Sequence, residues 1–346
     1  MLNIIYSIIY GVIEGITEWL PISSTGHLIL AENFLKFQGL SDGFFDMFDV
    51  VIQLGAILAV VVLYFKSIWP LKMQKSKHGG SSKVVWDKNI LVLWAKILVA
   101  CIPAAIVGLL FDDILNKYLY NSWVVAIMLI LVGVAFIVIE NKKKNMKPRV
   151  NDISELTYKD ALIIGLFQLI AAIFPGTSRS GATIIGALLI GISRTVAAEY
   201  TFYLAIPVMF GASLLKILKF GLSFTGMELA VLLVGMIVAF IVSIFVIKFL
   251  MNYIKKHDFK VFGWYRIVLG IIVIILLGIL WKVSNGSLRN IILKRRPWYG
   301  CFCSSHLQRL IYDQNEMEKC HSYCFVFWHI SGINARNWLF SWKQIK

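Results

Sequence analysis

Charge is what this sequence has little of: Asp, Glu, Lys and Arg make up 15% of its 346 residues, against roughly 25% in ordinary globular chains. So few ionised groups cannot cover a water-facing surface when 59% of the residues are hydrophobic and mean hydropathy is +0.77. A globular domain with water as its main solvent is therefore excluded. Acids are the scarcer sign, 19 against 34 basic residues. The resulting net charge of +15 would suggest a nucleic-acid partner only if the basic residues shared one solvated face. Cysteine is sparse too. Cys101 lies in an apolar run, and Cys301, Cys303, Cys320 and Cys324 lie near the end with His306. No disulfide framework follows, and C-x-C then C-H-x-x-C fits no usual zinc spacing. The chain has no P-loop, no G-x-G-x-x-G and no zinc triad, so nucleotide chemistry is not indicated. It also lacks a basic n-region with an A-x-A cleavage site, so Met1 onward reads as mature protein.

What is present is long apolar runs. Val50 to Phe65, Ile90 to Leu110, Trp123 to Ile139, Phe202 to Leu218, Leu229 to Leu250 and Tyr265 to Trp281 each approach the roughly 20 residues a helix needs to cross a bilayer. Six spans are expected. The connections Lys66 to Asn89, Asn141 to Lys159 and Met251 to Phe262 carry six, six and three Lys/Arg. The alternate segments Met1 to Asp49, Asp112 to Asn121 and Phe220 to Met227 carry one, one and none. That alternation is a topology signal and rules out a nucleic-acid face. It puts the basic loops in the cytoplasm and the first 49 residues and the Asp112/Asp113 loop outside.

The chain also resembles itself. A shift of 154 places Gly11-Val-Ile-Glu14 on Gly165-Leu-Phe-Gln168, Pro21 on Pro175, Ser23 on Thr177 and Ser24 on Ser178; a shift of 156 places Gly55-Ala56 on Gly211-Ala212. Halves of 1–140 and 141–282 follow, with three full spans each, and an odd number of crossings makes the repeat inverted in topology. Ile4 to Leu30 and Ala161 to Ile190 are each an apolar helix, a Pro/Ser/Thr break and a second short apolar helix. Each is expected to be a re-entrant hairpin. Free backbone N–H groups survive at membrane depth only in protein or a wet cavity, so the two tips should face each other. Two opened helix starts would then aim bare N–H groups into one anion site. The expected fold class is thus an all-α polytopic membrane protein, six transmembrane helices plus two re-entrant helical hairpins in an inverted repeat.

Glu14 and Glu18 are one helical turn apart on one face, with Asn3 and Tyr6 below them. A carboxylate in the membrane costs on the order of 2.5–3.5 kcal/mol, so a functional pair is expected over an interfacial helix that merely wets it. Such a pair can bind Mg²⁺ or Ca²⁺ or act as general base. Pro21-Ile-Ser-Ser-Thr-Gly-His27 follows directly. Ser23, Ser24 and Thr25 are candidates to attack or to hydrogen-bond a phosphate, although serines at a helix break also serve as plain N-caps. His27 is the one histidine of the membrane part and a candidate acid, base or nucleophile. In the second break, Pro175-Gly-Thr-Ser-Arg-Ser-Gly-Ala-Thr183, Arg179 needs an anion. That anion is either a phosphate held bidentately or Glu14 or Glu18 in an ion pair.

These residues resemble the bacterial undecaprenyl-diphosphatase family, also known for bacitracin resistance. Its E-x-x-x-E matches Glu14 and Glu18, its P-x-S-S-T-G-H matches Pro21 to His27, and its P-G-x-S-R-S-G-x-T matches Pro175 to Thr183. Val51-Ile-Gln-Leu-Gly55 and Gly191-Ile-Ser-Arg194 extend the likeness, which covers about Met1 to Trp281. The resemblance implies hydrolysis of the C55 isoprenoid diphosphate to the monophosphate carrier and inorganic phosphate, at the outer side of the cell membrane, in the service of cell-wall synthesis. It implies catalytic Glu14, Glu18, Ser24, His27 and Arg179, with nucleophile identity open between Ser24, His27 and water. It implies a substrate cradle of Ser23, Thr25, Gly26, Gly176, Ser178, Ser180 and Thr183, and a divalent metal on Glu14 and Glu18. Partners are then the isoprenoid diphosphate and membrane lipids, without nucleic acid, and a homodimer is compatible. The segment 283–346, with nine basic and three acidic residues after Asn285, departs from the family and reads as a non-native or fused tail. A lipid flippase of the same inverted-repeat plan is the leading rival. A type 2 phosphatidic-acid phosphatase is the weaker one, since no histidine lies between Arg179 and His257.

Overall fold

The computed structural model describes residues 1–32, 34–74, 83–119, 121–143, 146–221 and 223–284. Cys301, Cys303, His306, Cys320, Cys324 and the tail from residue 285 onward lie outside the described residues. Met1–Gly278 form one compact unit, and the chain from Ile279 is counted apart from it.

The order of elements is α1 (Leu2–Thr17), α2 (Ser24–Glu32), α3 (Phe44–Val51), α4 (Gln53–Leu63), α5 (Phe65–Ile68), β1 (Leu71–Gln74), β2 (Lys83–Trp86), α6 (Lys88–Leu119) and α7 (Ser122–Lys143). After a 3₁₀ turn at Ile153–Glu155 come α8 (Tyr158–Ile173), α9 (Arg179–Leu189), α10 (Arg194–Phe220), α11 (Gly226–Ile254) and α12 (Lys260–Ser284). Six helices are long and apolar enough to cross a membrane: Phe44–Leu63, Lys88–Gly108, Ser122–Lys143, Arg194–Phe220, Gly226–Ile254 and Lys260–Gly278. They overlap all six expected spans. The shorter apolar helices are α1 and α9.

Three local differences have local causes. The first span begins at Phe44 rather than Val50, because Asp46 and Asp49 sit within an otherwise apolar helix and lower its hydropathy without stopping it. The stretch 112–121, read as a loop, is helical through Leu119, since no Gly or Pro interrupts it to end α6. The first basic connection carries a β-hairpin, with Leu71 paired to Trp86 and Gln74 to Lys83, closed by a Lys72–Asp87 ion pair.

Lipid offers no hydrophobic drive between helices, so they meet where small residues let backbones touch. A Cβ on Gly11 of α1 would stand 2.7 Å from Gly235 O of α11, and one on Gly165 of α8 would collide with Ala100 O of α6. The α7–α12 crossing is reciprocal: a Cβ on Gly133 meets Gly263 O at 2.7 Å, and one on Gly263 meets Gly133 O at 2.8 Å. Around this scaffold Leu131, Phe210 and Phe245 are 56%, 61% and 69% exposed, as an apolar belt against lipid requires.

Candidate functional site

Two interrupted helices build the site. After α1, Pro21 removes an amide donor and Ser23 takes φ 75 before α2 begins at Ser24. After α8, Phe174 is extended, Gly176 has φ 86 and Ser178 has φ 68 before α9 begins at Arg179. Ser23 and Ser178 are the only non-glycine residues with positive φ among the described residues, a conformation costing on the order of 1–3 kcal/mol each. Both are compensated in the same way. Ser23 Oγ accepts from Gly26 N–H at 3.3 Å, and Ser178 Oγ accepts from Gly181 N–H at 3.2 Å, each an N-cap bond to the helix that follows. Gly176 cannot carry a side chain, because a Cβ there would sit 2.7 Å from the Val125 backbone of α7.

One side chain fastens the two breaks together. Arg266 of α12 is fully buried and donates from Nη1 to Pro21 O at 3.0 Å, and from Nη2 to Gly176 O at 2.8 Å and Thr177 O at 2.7 Å. No acid pairs with it among the described residues; its charge is balanced by three carbonyl dipoles that the broken helices leave without intrahelical partners. Sequence reasoning passed over Arg266, although an arginine inside an apolar run is itself a signal.

Above that fastening, Glu18 and Arg179 meet at 2.9 Å between Oε1 and Nη2. Glu18 Oε2 accepts the Ser24 hydroxyl proton at 2.8 Å, and Ser180 Oγ donates to the Glu18 carbonyl at 3.1 Å. Arg179 also donates from Nη1 to Thr201 O at 2.9 Å, while Thr183 Oγ1 lies 2.9 Å from Thr201 Oγ1 and bonds Arg179 O. A carboxylate, a hydroxyl and a guanidinium from two breaks 161 residues apart thus form one connected set.

The set opens on a cavity of about 630 Å³ whose wall includes Glu18, Ser24, Thr25, Gly176, Ser178 and Arg179. The other expected residues stand elsewhere. Ser23, Ser180 and Thr183 are buried, with their hydroxyls bonded internally, and Gly26 faces Leu129. His27 turns toward α12: its Nδ1–H donates to Ser23 O at 2.7 Å, leaving Nε2 to accept from Tyr265 Oη at 2.7 Å in the neutral ring, and the two rings stack. It is not among the residues lining the cavity. Asp46, Asp49 and Lys216, which sequence reasoning did not single out, do line it. Asp49 keeps one buried carboxylate oxygen without a partner.

Glu14 is the test of a metal. It is fully buried one turn behind Glu18, and neither of its oxygens has a hydrogen-bond partner. An unpartnered buried carboxylate is the group a divalent cation answers. Among the described residues no group of three or more His, Cys, Asp or Glu gathers to hold a metal. Glu14, which is not among the residues lining the cavity, and Glu18 are the carboxylates that would hold Mg²⁺ or Ca²⁺, a number that suits Mg²⁺ sites built on one or two carboxylates. On that ground the residues fit the ion.

Six membrane-length helices, with an acid, a hydroxyl and an arginine gathered on the wall of one cavity, define a polytopic membrane protein with a polar site inside apolar surroundings. The chain belongs to the bacitracin resistance protein BacA family, whose model matches residues 7–272. Its relatives include an undecaprenyl-diphosphatase of Desulfitobacterium hafniense (strain DSM 10664 / DCB-2), 61% identical over 275 residues, 80% of this chain and 96% of that protein. Undecaprenyl-diphosphatase 1 of Clostridium acetobutylicum is 58% identical over 274 residues, 79% and 97% of the two chains. An undecaprenyl-diphosphatase of Enterococcus faecalis is 58% identical over 266 residues, 77% and 94% of the two.

Proposed function

We propose that this chain is an integral membrane phosphatase that hydrolyses undecaprenyl diphosphate to undecaprenyl phosphate and inorganic phosphate. That reaction returns the lipid carrier to cell-wall synthesis and confers bacitracin resistance. The observation that carries the reading is the Ser24–Glu18–Arg179 set, joined at 2.8 and 2.9 Å on the wall of one cavity.

In the mechanism this geometry favours, Glu18 Oε2 takes the Ser24 proton as Oγ attacks the terminal phosphorus, the paired nucleophile and base of covalent catalysis. The phosphoanhydride bond breaks and its electron pair leaves on the isoprenoid monophosphate. Water then cleaves the phosphoserine, with Glu18 returning the proton to Oγ. Arg179 exchanges its Glu18 contact for the phosphoryl oxygens, where a guanidinium fork stabilises the charge that develops. A divalent cation held by Glu14 and Glu18 would supply further neutralisation of phosphate charge. Ser24 is favoured over His27 because its hydroxyl faces the cavity, while both His27 nitrogens have partners outside the cavity lining. Thr25, Gly176 and Ser178 cradle the substrate from the wall; Ser23, Gly26, Ser180 and Thr183 hold that wall in shape.

The inverted repeat, with halves 1–140 and 141–282, draws support from reciprocal packing. α1 lies on α11 as α8 lies on α6, and Gly133 and Gly263 contact each other's carbonyls, the exchange a two-fold axis produces. The matched positive φ at Ser23 and Ser178, 155 residues apart, aligns the two breaks one residue off the shift of 154 read in the sequence. On this reading α1–α2 and α8–α9 are re-entrant hairpins, and the charge alternation puts the first of them, and so the active site, at the outer face of the cell membrane. The test is phosphate release by the purified full chain from C55 and C15 diphosphates, with and without a chelator, beside a leaflet-exchange assay on the same vesicles. Movement of lipid without phosphate release would make it a flippase instead.

A further inference from the structure

A second cavity, of about 560 Å³, lies at the far end of α9, eleven residues and so roughly 16 Å of helix from Arg179. The ends of α7, α9 and α11, the start of α10 and the segment before Val150 enclose it. Five basic side chains line it (Lys143, Lys147, Arg149, Arg194 and Lys255) against one acid, Glu140.

The walls are built before any ligand arrives. Val150 and Ile192 form a parallel bridge, with Arg149 N–H donating to Gly191 O at 2.6 Å and Ser193 N–H to Val150 O at 2.9 Å. Arg194 forks onto Glu140 at 2.9 and 2.5 Å, and Arg149 reaches Asp160 at 2.5 Å. Those two guanidinium groups are engaged structurally. Lys143, Lys147 and Lys255 make no ion pair among the described residues. Three ammonium groups therefore stand around one opening without an acid to answer them. The floor is apolar, with Leu188, Ile192 and Ile254 buried, and it runs outward to Leu189, which is 44% exposed like the rest of the lipid-facing belt.

We propose that this cavity is a binding site for the headgroup of an anionic glycerophospholipid, with Lys143, Lys147 and Lys255 around the phosphate and the apolar floor under the first acyl carbons. Free phosphate would satisfy the lysines but leave a floor of buried isoleucine and leucine unused in a space the size of a small-molecule pocket. A basic pocket between helix ends at the membrane surface is the arrangement that selects an anionic lipid from a zwitterionic one. None of the three lysines touches the Ser24–Glu18–Arg179 set, so the site is separable from hydrolysis.

The test uses the purified full chain in neutral detergent and reads its thermal unfolding midpoint during titration with short-chain phosphatidylglycerol, short-chain phosphatidylcholine or inorganic phosphate. Phosphatidylglycerol should raise the midpoint saturably and the other two should not. In Lys143→Gln/Lys147→Gln/Lys255→Gln the half-saturating concentration should rise by roughly a hundredfold, from about 1 kcal/mol per juxtamembrane lysine, with the hydrolytic rate unchanged. Lys66→Gln/Lys88→Gln/Lys159→Gln removes the same charge from exposed positions outside the cavity and should respond as wild type. An equal loss in both triple variants would reduce the effect to bulk surface charge and overturn the site. A response to inorganic phosphate equal to that of the lipid would overturn the lipid assignment, and an unchanged response in the cavity variant would overturn both.

Discussion

Replacing Arg266 by methionine keeps an unbranched apolar stem and removes the guanidinium that joins the breaks. Three hydrogen bonds are lost, to Pro21 O, Gly176 O and Thr177 O, all at 2.7–3.0 Å and all buried. A hydrogen bond involving a charged group contributes about 1.5–3 kcal/mol. The simple sum for three overstates the loss, because the variant no longer desolvates a cation. Leaving a buried carbonyl acceptor without a partner costs about 1–3 kcal/mol. That range is the expected destabilisation. The catalytic effect should be larger in proportion. Ser24 stands three residues after Pro21 and Arg179 two after Thr177, so loosening the carbonyls lets the two halves of the site drift, and a misplacement of about 1 Å can cost a hundredfold in rate. The assay pairs a thermal unfolding scan in detergent with kcat and KM for a soluble-chain isoprenoid diphosphate. A fall in kcat of about a hundredfold with KM changed little is expected, since the effect is on alignment. Arg266→Lys, one point donor in place of a fork, should recover only part of either loss. Wild-type kcat in Arg266→Met would mean that the Glu18–Arg179 pair alone holds the breaks together, and the positioning argument would fall.

Arg179→Ala should lower kcat by about 10²–10³-fold, the usual effect of losing one group that stabilises transition-state charge; Arg179→Lys should recover little, and near-normal turnover in either would take Arg179 out of the reaction. Ser24→Ala should abolish phosphoenzyme formation in rapid-quench labelling with a ³²P-labelled diphosphate, whereas a retained covalent intermediate would move the nucleophile elsewhere. Glu14→Gln should raise the Mg²⁺ or Ca²⁺ concentration needed for half-maximal activity by at least tenfold while the protein still folds, because its two unpartnered oxygens are the vacant donors; an identical metal titration would leave Glu14 as a buried structural acid.

Much of this protein is readable from local sequence, for a reason that particular segments make plain. Hydropathy is a sum over neighbours, so the run from Leu229 to Leu250 announces α11 whatever it packs against. Proline and serine act on their own φ and on the next few amides, so Pro21 and Pro175 mark the two breaks without knowledge of either partner. The cost of an ion in the membrane likewise singled out Glu14, Glu18 and Arg179 in advance.

Orientation was not readable in this way. Ser23 and Ser24 are adjacent and chemically alike, yet a positive φ turns the first into a cap and leaves the second 2.8 Å from Glu18. His27 sits in the same motif and points to Tyr265, 238 residues away in sequence. Asp49 and Lys216 join the cavity only because α3 and α10 pack together, and Arg266 reaches Pro21 across 245 residues. Which apolar helices are made is decided by energies summed over a few neighbouring residues, and that the sequence determined by itself. Which polar groups end up facing one another depends on backbones meeting at glycines such as Gly133 and Gly263, a long-range fit that only the tertiary structure decided.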